Sequence, residues 1–304
     1  MAANYWSSTQ RRFWLFSKEE LQDIREKLEN DDKGLVQQYP LPDRRLLSIF
    51  FREQLGKLGK RMNIRQQALA TAQVYLRRYY TKVEIRRTDP YLVMATCFYL
   101  ACKMEECPQH IRIVFSEARN LWSDFSAPDA SKVGECEFSL ISEMNSQLII
   151  HHPYRTLTEL SSTFPLSHDE TSIAWSIIND SYLTDLPLLY PPHSIAITAI
   201  FLAIVSKPNP EGIRGAILTV ANIASSLNAG KEPAHSGTAS QSVNPPLYQN
   251  KLQKLVSWLA ESQISIDAVI DCTQDICSLY EIWEQYNDGG RVCKDPIQRM
   301  LKCR

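Results

Sequence analysis

The sequence predicts an all-α protein: two tandem five-helix bundles with an extra N-terminal helix. Three observations carry that prediction. First, Asp89 to Cys102 is apolar on nearly every face, opens with Pro90 and exits into Lys103-Met104-Glu105-Glu106. Proline suits a first helical turn, and a helix without a polar side must be surrounded by others. Second, the chain contains this arrangement twice. At one constant offset, without a gap, Ala72, Tyr80, Pro90, Thr96, Leu100 and Ala101 meet Ala174, Tyr182, Pro192, Thr198, Leu202 and Ala203. That period is too long for a solenoid and points to duplication of a whole domain. Third, only 10 residues are glycine and strand-like alternations are few, which favours helices over sheets.

The elements follow in order. Residues 1–42 are an N-terminal arm and helix; the capping box Ser17-Lys18-Glu19-Glu20 opens that helix, which runs to about Leu28. Residues 43–150 form the first bundle. Its first helix carries the stripe Leu47, Phe50, Phe51, Leu55 and Leu58, and its second Leu69, Ala72, Leu76 and Tyr79. The third is the apolar core helix, the fourth spans Ile111 to Trp122, and the fifth turns Val133, Cys136, Leu140, Met144 and Leu148 to one face. Residues 151–287 form the second bundle, with helices beginning near Tyr154, Ser167, Pro192, Tyr248 and Ser265; a second capping box, Ser167-His168-Asp169-Glu170, marks one start. Within it, about 207–247 reads as a flexible insertion: Asn228 to Pro246 is rich in Ser, Ala, Gly and Pro, with a further helix over Ile213 to Leu227. From Asp288 to Arg304 the chain reads as a frayed, mildly basic tail.

Composition excludes several functions. With 44% hydrophobic and 22% charged residues the chain reads as globular and soluble, and 33 basic against 34 acidic residues leave no field to attract nucleic acid. The longest apolar run, Ile195 to Val205, is too short to span a bilayer, and the N-terminus shows no signal-peptide core. The eight cysteines form no CxxC pair and several fall on apolar faces, which predicts reduced intracellular thiols rather than disulfides or a zinc site.

No nucleophile elbow, phosphate-binding glycine loop or HExxH motif is present, so no catalytic residues, cofactor or metal are expected. His151-His152 at the junction read as linker contacts, and the capping box already accounts for Glu170. One polar residue is out of place. Glu137 lies four residues after Val133 and four before Ile141, on the apolar stripe of its helix. A carboxylate there needs a partner, and Lys103, at the end of the core helix where the dipole favours a cation, is the natural one. The matching position in the second bundle is Val205. A charge that the duplicated fold does not need points to a docking site on the first bundle.

These residues resemble the cyclin family. Leu100-Ala101-Cys102-Lys103-Met104-Glu105-Glu106 and Glu135-Cys136-Glu137-Phe138 are similar to the segments carrying that family's kinase-gripping Lys and Glu. Within it the chain looks like the cyclin C branch, on Ala3-Asn4-Tyr5-Trp6, Leu69-Ala70-Thr71-Ala72-Gln73-Val74-Tyr75, His152-Pro153-Tyr154-Arg155 and Ile178-Asn179-Asp180-Ser181-Tyr182-Leu183-Thr184-Asp185-Leu186. The resemblance covers about residues 1–206 well and 247–286 more loosely; the insertion departs from it. Arg44-Arg45-Leu46-Leu47 also stands where cell-cycle cyclins carry a Met-Arg-Ala-Ile-Leu docking patch.

The resemblance implies two cyclin boxes, the first kinase-binding, in a non-catalytic nuclear subunit. It would activate a Mediator-associated cyclin-dependent kinase and so regulate RNA polymerase II transcription, contacting other Mediator subunits but neither nucleic acid nor membrane. Lys103 and Glu137 would grip the kinase, with Glu106, Phe13 and Trp14 as further kinase contacts; Trp6 and Glu105 would meet other partners. Phe13 and Trp14 are expected to pack and Trp6 to be exposed. The alternative is an adaptor similar to transcription factor IIB, bridging transcription proteins or DNA. That reading calls for an N-terminal zinc ribbon and a basic groove, and the sequence has neither. A helical enzyme with a dispersed site and a plain helical scaffold are the remaining readings.

Overall fold

The computed structural model describes residues 4–206, 247–286 and 290–303, and these residues contain helices and turns but no strand. The insertion expected over about 207–247, with its helix over 213–227, lies outside them up to residue 246. Two compact units are present. The first holds residues up to His151, Tyr182–Leu189 and Glu281 onward; the second holds His152–Ser181 and Tyr190–Tyr280.

In the first unit, a short turn at Tyr5–Ser7 precedes α1 (Thr9–Phe13), α2 (Lys18–Asp31) and α3 (Lys33–Gln38). The bundle itself is α4 (Arg44–Arg61), α5 (Gln66–Tyr79), α6 (Pro90–Met104), α7 (Ile111–Leu121) and α8 (Ser131–Glu143). The capping box forms as expected: Glu20 N–H donates to Ser17 Oγ at 3.1 Å, and Ser17 N–H to Glu20 Oε2 at 2.8 Å. Asp89 caps α6 by accepting from Tyr91 N–H at 2.9 Å, with Pro90 in the first turn. The apolar helix is the axis of the bundle: Met94, Ala95, Cys97, Phe98, Ala101 and Cys102 are fully buried, with α5 and α8 packed along it. Gly59 lies where α4 and α5 cross, and a Cβ there would lie 2.6 Å from Leu69 Cδ2. No steric room remains for alanine without moving Leu69.

In the second unit, α9 (Pro153–Thr163), α10 (His168–Ser181), α12 (Pro192–Ser206), α13 (Leu247–Glu261) and α14 (Ile266–Gln285) repeat the pattern; the four-residue α11 (Leu186–Leu189) belongs to the first unit, as do the last residues of α14. Central α12 is buried from Ser194 to Ile204, with α9, α10 and α13 against it. The second capping box also forms, with Ser167 N–H donating to Glu170 Oε2 at 2.6 Å. Lys251 Nζ reaches the same carboxylate at 2.8 Å, so Glu170 is accounted for structurally.

Two expectations need correction. The N-terminal region holds α1 and α3 besides the one expected helix. The segment read as a frayed tail is largely α15 (Arg291–Lys302), which turns Cys293, Ile297 and Met300 into the first unit's core beside α4. Its basic residues sit between those apolar ones, so composition concealed an amphipathic stripe at helical spacing.

Candidate docking site on the first bundle

Lys103 and Glu137 meet. The last turn of α6 and the middle of α8 bring Lys103 Nζ to 2.5 Å from Glu137 Oε1, with the Lys side chain 39% exposed and the Glu side chain 14%. Local sequence explains each half. Lys103 ends a helix whose C-terminus favours a cation, and its ammonium lies 4.7 Å from the centre of the Tyr99 ring, one turn back. Glu137 lies on the face of α8 that Val133 and Leu140 bury, and its Oε1 is shielded and accepts no well-aligned hydrogen bond. The ammonium is therefore what compensates that carboxylate. Next to the pair in sequence, Phe138 is 78% exposed and Met104 is partly exposed. A half-buried charge pair flanked by uncovered apolar side chains has the makeup of a binding hot spot.

The two acids after Lys103 part ways. Glu105 accepts from Gln67 Nε2 at 2.7 Å and from Thr71 Oγ1 at 2.6 Å, fastening the exit of α6 to α5. Glu106 adopts a left-handed backbone, φ +54°, while Cys107 N–H closes back onto Cys102 C=O at 2.9 Å. Glycine normally fills that position; here the turn leaves the Glu106 carboxylate exposed.

The aromatic arm differs from expectation. Trp6 is exposed, with the Arg11 guanidinium 5.1 Å from its ring. Phe13 does not pack; it is 56% exposed, because Gln10 and Trp14 take the inward side of this short helix. Trp14 is buried as expected, donates from Nε1 to Gln147 Oε1 at 2.7 Å and has the Arg78 guanidinium 4.6 Å from its ring. At 2% exposure it offers a kinase no surface, so its role is in the core. His151 is a linker contact: its N–H donates to Gln10 Oε1 at 2.7 Å.

Sequence reasoning missed a polar cluster in the same unit. Asp185 accepts from Arg25 at 2.7 and 2.8 Å and from Arg77 at 3.0 Å, while Arg77 also donates to Tyr182 C=O. Burial alone would raise the Asp185 pKa, but the hydrogen bond from Arg25 and the charges of Arg77 and Arg25 outweigh it and hold the carboxyl below its usual range. No sequence signal links residues so far apart. No three His, Cys, Asp or Glu side chains gather as metal ligands among the described residues, and no disulfide joins the eight cysteines.

Two five-helix bundles, each around an apolar third helix, define a cyclin fold, and comparison with known proteins agrees. Residues 16–149 match the family model for the cyclin N-terminal domain. A chain of the CAK complex from Chaetomium thermophilum bound to ATP-gamma-S is similar in fold, with a TM-score of 0.63 at 20% identity over 99% of this chain and 88% of that one. The yeast TFIIK complex supplies another similar chain, at 0.60 and 18% over 90% and 100%. Among relatives, the RNA polymerase II holoenzyme cyclin-like subunit of Aspergillus oryzae is 60% identical over 99% of this chain and 98% of its own length. Its Neurospora crassa counterpart is 47% identical over 100% and 99%. The chain belongs to this family of RNA polymerase II holoenzyme cyclin-like subunits.

Proposed function

We propose that this chain is the non-catalytic regulatory subunit of a cyclin-dependent kinase in the Mediator kinase module, acting in the nucleus on RNA polymerase II transcription. The Lys103–Glu137 pair carries this reading, because the matching position in the second bundle is Val205, near the end of α12. An ion pair that one copy of a duplicated fold keeps and the other omits serves something other than the fold. Lys103 and Glu137 would bond polar groups beside the kinase's αC helix and set register, while Phe138 and Met104 would supply apolar contact. A kinase is competent when αC moves inward and its own Lys–Glu pair forms. A subunit that binds the inward state better shifts the population by no more than its differential affinity. Glu106, Phe13 and Trp6 are exposed, and the first two would contact the kinase while Trp6 would meet another Mediator subunit.

The test is purification of the tagged chain from its native cells followed by mass spectrometry. A cyclin-dependent kinase in stoichiometric amount is expected, with other Mediator subunits beside it. Recovery of the chain without any kinase would overturn the reading.

A further inference from the structure

A cavity of about 60 Å³ opens in the first unit, and four arginines line it: Arg25 from α2, Arg44 and Arg52 from α4, and Arg77 from α5. No acidic side chain lines it. Arg25, Arg44 and Arg77 share two carboxylates outside the lining: Asp185 takes Arg25 and Arg77, and Glu29, on the solvent side, takes Arg44 at 2.7 Å. Arg52 adds a fourth guanidinium, 5.9 Å from the Trp283 ring. Three guanidiniums on two carboxylates leave the local charge positive without counting Arg52, although the chain as a whole is at −1. Burial pushes the Arg77 guanidinium down to about 10; Asp185 opposes that and the charge of Arg25 adds to it. Gln73 lines the same cavity, is 6% exposed, and gives its Nε2 to Leu69 C=O at 3.3 Å, while its buried Oε1 accepts no hydrogen bond.

We propose that this cavity is a docking site for an acidic peptide segment, taking a phosphoserine or carboxylate side chain among the arginines and a peptide N–H on Gln73 Oε1. Chemistry selects that occupant, and the cavity has room for a few water-sized groups, enough for an oxyanion. Guanidiniums pair best with phosphate and carboxylate oxygens, whereas the orphaned acceptor of Gln73 calls for a donor, which a peptide backbone brings along with the anion. The site includes Arg44 and Leu47 of α4. It is separate from the Lys103–Glu137 pair and does not depend on the kinase reading.

The experiment is fluorescence anisotropy on the full chain, without kinase. Three labelled degenerate peptide libraries are used, alike except for a fixed central phosphoserine, glutamate or serine, with inorganic phosphate as competitor. The phosphoserine or glutamate library should bind about tenfold or more tightly than the serine library, and which of the two leads identifies the source of the anion. R44Q, at a partly exposed residue whose ion pair is with Glu29, should lose most of that preference with little change in the thermal midpoint. Q73L should weaken peptide binding without changing the competition by phosphate. Equal binding of the three libraries would overturn the proposal, as would acidic binding that R44Q leaves intact. Phosphate binding with no peptide preference would reduce the site to a simple anion pocket and also defeat it.

Discussion

Truncating the two partners of the α6–α8 pair one at a time separates a docking handle from an ordinary ion pair. In E137A the Lys103 ammonium loses its carboxylate but keeps water and the Tyr99 ring, since its side chain is 39% exposed. A pair with so exposed a cation contributes no more than about 1 kcal/mol to the fold. The thermal midpoint should fall by about 2–4 °C. K103A acts differently, because it leaves Glu137 Oε1 shielded and without any hydrogen bond. An uncompensated carboxylate costs about 2–3 kcal/mol, between the values for partly and fully buried charges. K103A should therefore melt about twice as far below wild type as E137A. Both variants should stay helical by far-UV circular dichroism and fail to activate the kinase at stoichiometric concentration. Losing one member of a desolvated interfacial pair costs about 2–5 kcal/mol, a loss of about 30-fold or more in affinity. The assay is scanning fluorimetry beside titration of each variant into kinase and peptide substrate. An E137A that activates like wild type would refute the docking role, and a K103A as stable as E137A would refute the burial argument.

Other outcomes follow from the first unit's core. D185N should destabilise the chain by about 2–3 kcal/mol at pH 7, since it leaves Arg25 and Arg77 short of an anion at a partly exposed site. Because the folded pKa of Asp185 is depressed, its stabilisation is complete above the unfolded carboxylate value and is lost as pH falls through the folded one. Urea titrations should accordingly show the gap between wild type and D185N closing toward pH 3, and a gap that stays constant would contradict the assignment. W14A should cost about 3–5 kcal/mol, read from the urea midpoint, whereas F13A should lie within about 0.5 kcal/mol of wild type. Burial of Cys293 pushes its thiol up to about 12, so it should resist alkylation at pH 8 in the native chain and react once urea releases α15. Rapid native labelling at that cysteine would show that the helix is not docked.

Signals confined to a few neighbouring residues were legible in the sequence. Prolines and capping boxes placed the starts of the second bundle near Tyr154, Ser167, Pro192, Tyr248 and Ser265, and the helices begin at Pro153, His168, Pro192, Leu247 and Ile266. A cap acts through hydrogen bonds three residues long, so its meaning travels with the local sequence. Lys103 and Glu137 were legible for a related reason: a carboxylate breaking an apolar stripe announces a missing partner. Tertiary structure alone decided the rest. Phe13 and Trp14 are adjacent aromatics, yet one is exposed and the other buried under Arg78, since only the surrounding helices determine which side of the arm faces inward. Asp185 gathers Arg25 and Arg77 from distant parts of the chain, and α15 docks on α4 through three apolar residues spaced among charges. Periodicity reports which face of a segment is apolar; which other segment covers that face depends on shape and charge complementarity between residues that the linear order keeps apart.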